Sequence, residues 1–490
     1  RRVALRLNSK QIAAYTGGEF IVEPIDPTEL MCGVTWDSRE VEPGWLYVAL
    51  PGERVDGHDF VGAALRAGAR CALVTERPCE AVILLAKELG AALVAVPNTA
   101  SAVTDLAAQW RGHLRGRIIG LTGSTGKTTT KNLVRDVVAA AHSVVATKAN
   151  QNNELGVPRT LLAADPETEV VVVEMGMRGQ GQIAQLCRFV RPDWGLITNV
   201  GESHIELLGS RENIARAKAE LACSLPAGTG RAFLNADDDY ISFAIDEAEL
   251  AERNVSCVLF GGSPDADPAI PRVWACDARL DEEGRPVFTL RMRGFDADDP
   301  GLVEEAECHL NLRGVHNVSN ACSAAAVARS LGMDVDVIAR ALERAMPESG
   351  RQEIIEARGG YLLVNDAYNA NPDSMRASLA MFAALSVEGD RIAVLGDMGE
   401  LGDFARACHR GVGRTAASLP LDYLICVGRL ARDIACGAIE GGMEEEKVVC
   451  VDAVADVLEV LDARLEPGDA VLVKASHFMG LERVVEGLVS

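Results

Sequence analysis

"GLTGSTGKTTTKN" runs from Gly120 to Asn132. The apolar "IIGL" (118–121) leads into it, glycines stand at 123 and 126, and a helix-compatible stretch follows. Glycines at these positions let the backbone curl and aim its N–H groups at an anion. Lys127 then reaches toward outer phosphates, Thr128 offers a hydroxyl to Mg2+, and the next helix points its positive end at the site. The strict phosphate-loop pattern asks for Gly at position 121, where this chain has Leu, so the match is to a shorter G-x-x-G-K-T form. Gly-rich turns also cap helices for purely structural reasons. Strand before, helix after and the run of threonines favour nucleoside triphosphate binding.

The chain around this loop has 490 residues, too many for one ordinary core, and several domains are expected. Hydrophobic residues make up 48% and charged ones 24%, the balance of a globular protein. A formal net charge of -23 repels nucleic acid phosphates and anionic lipid, so neither is expected as the main partner. The 13 cysteines form no C-x-x-C pair, which suggests reduced thiols rather than a disulfide framework. No apolar run approaches the roughly 20 residues that span a bilayer, and the N-terminus lacks a signal-peptide pattern, so a cytoplasmic location is expected.

Three α/β domains are expected. Residues 1–113 hold short apolar segments, "GWLYVAL" (44–50) and "CALVTE" (71–76), separated by turn-rich pieces and closed by the helical "SAVTDLAAQW" (101–110). Residues 114–346 contain the phosphate loop and the apolar strands "EVVVVEMG" (169–176) and "DWGLITNV" (193–200). Strands apolar throughout, alternating with helices, argue a parallel sheet covered on both faces. After the linker-like "MPESG" (346–350), residues 347–490 alternate again through "YLLVNDAYN" (361–369), "RIAVLGDMG" (391–399), "DYLICVG" (422–428) and "AVLVKAS" (470–476). That pattern predicts a second, Rossmann-like, doubly wound unit.

Three further side chains invite chemistry. Glu174 ends the valine run just before Gly176. A carboxylate at that strand tip suits Mg2+, though a solvated strand end reads the same. His204 lies in the loop "TNVGESHIELLG", where histidines are usually structural or exposed. Lys218 shares a helical face with Ile214, Ala217, Leu221 and Leu225. An amine there must snorkel, pair or lose its proton. In the last case it can take up CO2, and the carbamate would be an anion able to hold a metal.

Together these residues resemble the Mur ligases, the ATP-dependent amide-bond formers of peptidoglycan precursor synthesis. "TGSTGKTTT" (122–130) is similar to the family's phosphate loop, so Gly123, Ser124, Thr125, Gly126, Lys127, Thr128 and Thr129 would cradle ATP. Glu174 and His204 resemble its metal-binding pair, and Lys218, in "AKAE", its carbamylated lysine. "GVHNVSN" (314–320) resembles the adenine-contacting segment and implies His316, Asn317 and Asn320. Arg351 in "SGRQE" and Asp366 in "NDAYNANPDSM" resemble third-domain groups of the ATP site. The resemblance implies two Mg2+ ions and a monomer. It also implies a carboxylate activated as an acyl phosphate before an amine displaces phosphate, with the third domain closing over ATP.

Within the family, "DSREVEPGWLYVALPGERVDGHDF" (37–60), "KANQNNELGVPRTLL" (148–162) and "LGDMGELG" (395–402) resemble the member that adds D-alanyl-D-alanine to a UDP-N-acetylmuramoyl-tripeptide. On that resemblance Ser38 and Arg39 would bind the uridine diphosphate, Asn152 and Asn153 the muramoyl peptide, and Asn369 and Asn371 the incoming dipeptide. Asparagine in such loops also serves turn chemistry. The Asp-Asn-Pro-Arg signature common in the ligase that adds the third residue is absent. A folylpolyglutamate-type or different Mur-type ligase is the alternative, but a folate enzyme would be expected to start almost at its phosphate loop, which residues 1–113 precede here. Thr125, Gly399, Ala475 and His477 depart from the family's usual residues.

Overall fold

The valine run and the phosphate-loop strand lie side by side. Val170–Glu174 pairs in parallel with Arg117–Thr122, setting Glu174 opposite Leu121. Their apolar residues are closed off from water, with Ile118, Ile119, Leu121 and Val170 to Val173 at most 1% exposed. Each such side chain contributes about 1.5–3 kcal/mol on burial. The computed structural model describes residues 5–52, 55–202, 205–262, 270–357 and 359–489.

These two strands belong to a nine-stranded sheet. Its order is Val303–His309, Pro286–Arg293, Arg272–Leu280, Ser256–Phe260, Arg231–Asn235, Trp194–Ile197, Arg117–Thr122, Val170–Glu174, Val144–Ala146. From Val144–Ala146 through to Arg272–Leu280 every pairing is parallel. The last two are antiparallel, which the reading of this region as a parallel sheet did not anticipate. The cause is local. Asp281 Oδ1 accepts from the N–H groups of Glu283 and Arg285, and Gly284 takes φ +74, so the chain turns back at once. Pro286–Arg293 then alternates buried and half-buried side chains, as an antiparallel strand with one wetter face should.

The N-terminal part holds a five-stranded sheet in the order Glu19–Val22, Ala92–Ala95, Cys71–Val74, Leu46–Val48, Val34–Thr35, parallel except for its first pair. A two-stranded ladder joins Leu7–Asn8 to Leu30–Met31. The helix Thr99–Arg111, capped by Asn98 accepting from Ser101 N–H, closes this part. Its Trp110 is buried and donates to Ala164 O of the central part.

The C-terminal sheet has six strands, in the order Glu353–Glu356, Leu362–Asn365, Ala470–Lys474, Arg391–Gly396, Tyr423–Val427, Val448–Val451. Only the first pairing is antiparallel. Both large sheets reverse strand order about one strand. In the central sheet, Arg117–Thr122 lies between Val170–Glu174 and Trp194–Ile197; in the C-terminal sheet, Ala470–Lys474 lies between Leu362–Asn365 and Arg391–Gly396. A crevice opens outside the carboxyl ends of the strands at such a point. Here both crevices look into one cleft.

Candidate active site

The cleft has a volume of about 1640 Å³ and is lined from the phosphate loop, Glu174, Lys218, the start of the helix His316–Ser330 and the C-terminal loops around Arg351, Asp366, Asn371 and Ser476. Its floor is the phosphate loop. Gly123 passes so close to the next strand that a Cβ would lie 1.8 Å from Thr198 Oγ1. Gly126 takes φ +72, and a Cβ there would meet Asn320 Oδ1 at 2.7 Å. Both positions therefore require glycine. Asn199 braces the loop from beside it: its backbone O accepts from Ser124 N–H at 3.1 Å, its Oδ1 from Thr125 N–H at 3.0 Å, and its Nδ2 donates to Thr125 Oγ1 at 2.9 Å. Lys127 Nζ donates to Gly123 O at 2.8 Å. Burial pushes the Lys127 amine below its ordinary range, against the pull of Glu174.

Glu174 is buried. Its Oε1 accepts from Thr128 Oγ1 at 3.2 Å and from Asn152 Nδ2 at 2.9 Å. Its Oε2 has no hydrogen-bond partner among the described residues, and Lys131 Nζ stands 4.0 Å away. An orphaned buried carboxylate oxygen beside a hydroxyl is a hard oxygen donor set and fits Mg2+, which commonly takes one or two carboxylates and leaves the rest of its shell to phosphates and water. Among the described residues no three His, Cys, Asp or Glu side chains converge on a metal position. His204 lies outside the described residues.

Lys218 does not snorkel. It is 1% exposed in the helix Arg211–Cys223, and its neighbours Ile214, Ala217 and Leu221 are fully buried. Burial drives its amine well below the ordinary lysine range, and the charge of Lys127 adds to this while Asp238 opposes it. Lys218 is thereby held toward the neutral form.

At the start of the helix His316–Ser330, Asn317 and Asn320 are buried. Asn320 Oδ1 accepts from Thr130 Oγ1 at 3.1 Å, and its Nδ2 donates to Asn317 Oδ1 at 2.8 Å. Asn320 thus ties its helix to the phosphate-loop helix Lys127–Val138. Burial lowers His316 to about 4, so it is a neutral imidazole at physiological pH.

From the C-terminal part, Arg351 stacks its guanidinium 4.3 Å over the Tyr368 ring and lies 3.6 Å from Glu348, which accepts from Asn132 Nδ2 at 3.1 Å. The Asp366 carboxylate accepts from Lys474 Nζ at 2.7 Å, from Gln352 N–H at 3.3 Å, and from Ser378 Oγ. It is fully engaged by its own domain, which suits an orienting role. Asn371 caps the helix Pro372–Ala383, and Asn153 accepts from Gly156 N–H, so both are occupied with turn and cap chemistry. Asn369 O accepts from Lys474 Nζ, and its Oδ1 accepts from Ala370 N–H. Ser38 and Arg39 are not among the lining residues; Arg39 is exposed and closes onto Asp37 at 2.6 Å.

The sequence reading missed Lys131, Asn199, Glu348, Tyr368 and Lys474. Lys131 lies four residues beyond Lys127, on the same helix face, and that spacing was the available signal. The rest are brought in by tertiary packing.

A glycine loop on a switch-point strand, a buried hydroxyl–carboxylate pair and a facing domain that delivers an arginine define a phosphate-loop enzyme acting on nucleotides. Models of known families refine the class. The Mur ligase middle domain matches residues 121–328, the glutamate ligase domain residues 350–477, and the Mur ligase family catalytic domain residues 31–111. The chain belongs to the Mur ligase family. It is 38% identical to the UDP-N-acetylmuramoyl-tripeptide--D-alanyl-D-alanine ligase of Mycobacterium tuberculosis, over 99% of this chain and 98% of that one. Among solved structures, MurF of Acinetobacter baumannii superposes with a TM-score of 0.80 at 30% identity, covering 99% of this chain and 100% of that one. MurF ligase of Thermotoga maritima, solved in complex with ADP, gives 0.72 at 27% identity, covering 93% and 96%.

Proposed function

We propose that this chain joins D-alanyl-D-alanine to a UDP-N-acetylmuramoyl-tripeptide, using ATP and releasing ADP and phosphate. The full-length likeness to ligases of that name supports the substrates. The observation that carries the chemistry is the buried Thr128–Glu174 pair, whose Glu174 Oε2 has no hydrogen-bond partner among the described residues, set beside Lys127 on the cleft floor.

A carboxylate does not react with an amine at neutral pH, because oxide is a poor leaving group. Transfer of the γ-phosphoryl group to the carboxylate makes an acyl phosphate; the amine then adds to that carbon and phosphate departs. The first step brings two anions together. Lys127 sits where it can offset that repulsion, and Arg351, held on Tyr368, can stabilise charge spreading over the transferring group. Mg2+ held by Thr128 and Glu174 would screen the phosphates and draw charge from the γ-phosphoryl oxygens. Gly123 to Thr129 supply N–H groups and hydroxyls for the phosphates, and His316, Asn317 and Asn320 frame the base.

Lys218, buried and held toward neutrality, is suited to take up CO2, releasing one proton and leaving a carbamate anion that with His204 would hold a second Mg2+. Ser38 and Arg39 remain our assignment for the uridine diphosphate, reached on the N-terminal domain outside the cleft. Asn152, Asn153, Asn369 and Asn371 frame the peptide ends. Domain borders near residues 113 and 346 place the phosphate loop and Arg351 on different bodies. Closure of the third domain over ATP then excludes water from the acyl phosphate. We further take the protein to be a monomer of the cytoplasm; among the described residues no helix is long and apolar enough to cross a membrane.

Phosphate release should require ATP, the UDP-linked tripeptide and D-alanyl-D-alanine together. Label placed in the tripeptide's carboxylate oxygens should appear in the released phosphate. Release with either carbon substrate omitted, or phosphate free of label, would overturn this reading.

A further inference from the structure

A short loop links the phosphate loop to the C-terminal domain. Gly201 N–H donates to Ser124 Oγ at 2.8 Å, fastening the loop to the nucleotide cradle. One residue on, Glu202 N–H donates to Asp373 Oδ2 at 3.2 Å, across to the other domain. Asp373 is held in turn: Arg376 Nη2 donates to its Oδ1 at 2.8 Å and lies 3.3 Å from Glu202 Oε2. Gly201 makes this approach possible. A Cβ there would stand 2.2 Å from Asp373 Oδ2 and 3.3 Å from Ser124 Cβ, so a side chain would push the Asp373 carboxylate off this contact. Asp373 lies in the first turn of the helix Pro372–Ala383, behind the cap at Asn371, where a carboxylate suits the helix dipole. The dipole explains an acidic residue in that turn. It does not explain why the carboxylate points out of its own domain and takes a backbone N–H from the other. The two domains meet again nearby, where Arg178 and Glu400 lie 3.3 Å apart and Gly402 packs on Glu206.

We propose that Asp373 is a positioning residue: it docks the C-terminal domain on Gly201–Glu202 and thereby sets Arg351 and Asp366 against the phosphate loop. The inference rests on the ligase reading given above. The coupling is short, because one peptide unit separates the bond to Ser124 from the bond to Asp373. Arg376 keeps the carboxylate aimed and joins Glu202 to the same clamp. Asp373 touches no reacting atom, so its contribution is to geometry and belongs to turnover more than to ATP binding.

The test uses the full chain and phosphate release with all three substrates. Asp373→Ala is expected to lower kcat about 10- to 100-fold, the scale of a small misplacement of reacting groups, while the KM for ATP changes less than about threefold. Asp373→Asn, whose side-chain oxygen can still accept from Glu202 N–H, is expected to recover most of that loss. Gly201→Ala is expected to impair the wild-type chain but to cost little more in the Asp373→Ala background, since the two changes break one contact. Thermal unfolding of each variant checks that it is folded, and Gly201→Ala with Asp373→Asn carries the test if Asp373→Ala does not fold. Unchanged kcat in Asp373→Ala, no recovery in Asp373→Asn, or strictly additive losses would each overturn the proposal. A wild-type chain without substrate-dependent phosphate release would instead overturn the ligase reading.

Discussion

Lys474 Nζ lies 2.7 Å from Asp366 Oδ2, and both side chains are almost wholly buried. The pair joins the ends of two adjacent parallel strands, Leu362–Asn365 and Ala470–Lys474, 108 positions apart in sequence. Removing one partner strands the other charge out of water. Lys474→Met is therefore expected to cost about 3–5 kcal/mol in urea unfolding. The double variant Asp366→Asn, Lys474→Met should recover much of this while turnover stays low. A single variant with wild-type stability would contradict the pairing.

Glu174 gives a separate expectation. Its Oε2 has no hydrogen-bond partner among the described residues, so Glu174→Gln keeps the bonds that Thr128 and Asn152 make to Oε1 and removes the charge that faces Lys131 at 4.0 Å. The variant should still fold, at some cost in stability because Lys131 loses its buried counter-charge, and lose roughly 10²–10³ in turnover. In thermal unfolding with ADP, added Mg2+ should raise the midpoint of the wild type and leave the variant unmoved. An equal Mg2+ response in both would remove Glu174 from the metal site.

His316 sets a pH dependence of known sign. Its folded value, about 4, lies below the ordinary 6.5, so the unfolded chain takes up the proton first. Its contribution to stability is intact above about 6.5 and drains away as pH falls toward about 4. His316→Asn should flatten the fall in unfolding free energy across that window. An unchanged slope would show that the imidazole is protonated as readily in the folded protein.

Lys218 gives a stability expectation of its own. A buried amine that must shed its proton burdens the fold, and an apolar side chain of like length does not. In bicarbonate-free buffer Lys218→Met should therefore unfold at higher denaturant than the wild type, with turnover lost. Mass analysis of gently handled wild-type protein should find the added carboxyl group. A destabilised Lys218→Met would mean that the amine has a satisfying partner in the fold.

Much of this was legible in the chain, for reasons that can be named. The phosphate loop announces itself because glycine and lysine are needed at fixed offsets, and Val170 to Val173 read as a strand because they are apolar on both faces. Glu174 could be picked out because it ends that run. The antiparallel edge was harder to see. In "VEEAECH" (303–309) most side chains are charged or small, so the strand carries little apolar signal. Asn199, Glu348 and Lys474 act through partners tens to hundreds of positions away, which no local spacing encodes. Asn153 and Asn371 show the opposite case: each accepts from a local backbone N–H, turn and cap chemistry that the sequence also allows.

The two sheets place their strand-order reversals face to face across one cleft. Each half, taken separately, offers only a fragment of a binding surface: phosphate-directed groups on one side, an arginine on an aromatic shelf on the other. A compound filling a single half touches one wall only, so its grip ends where the other begins. One spanning from Glu174 to Tyr368 would staple the halves together, since both residues line the same cleft.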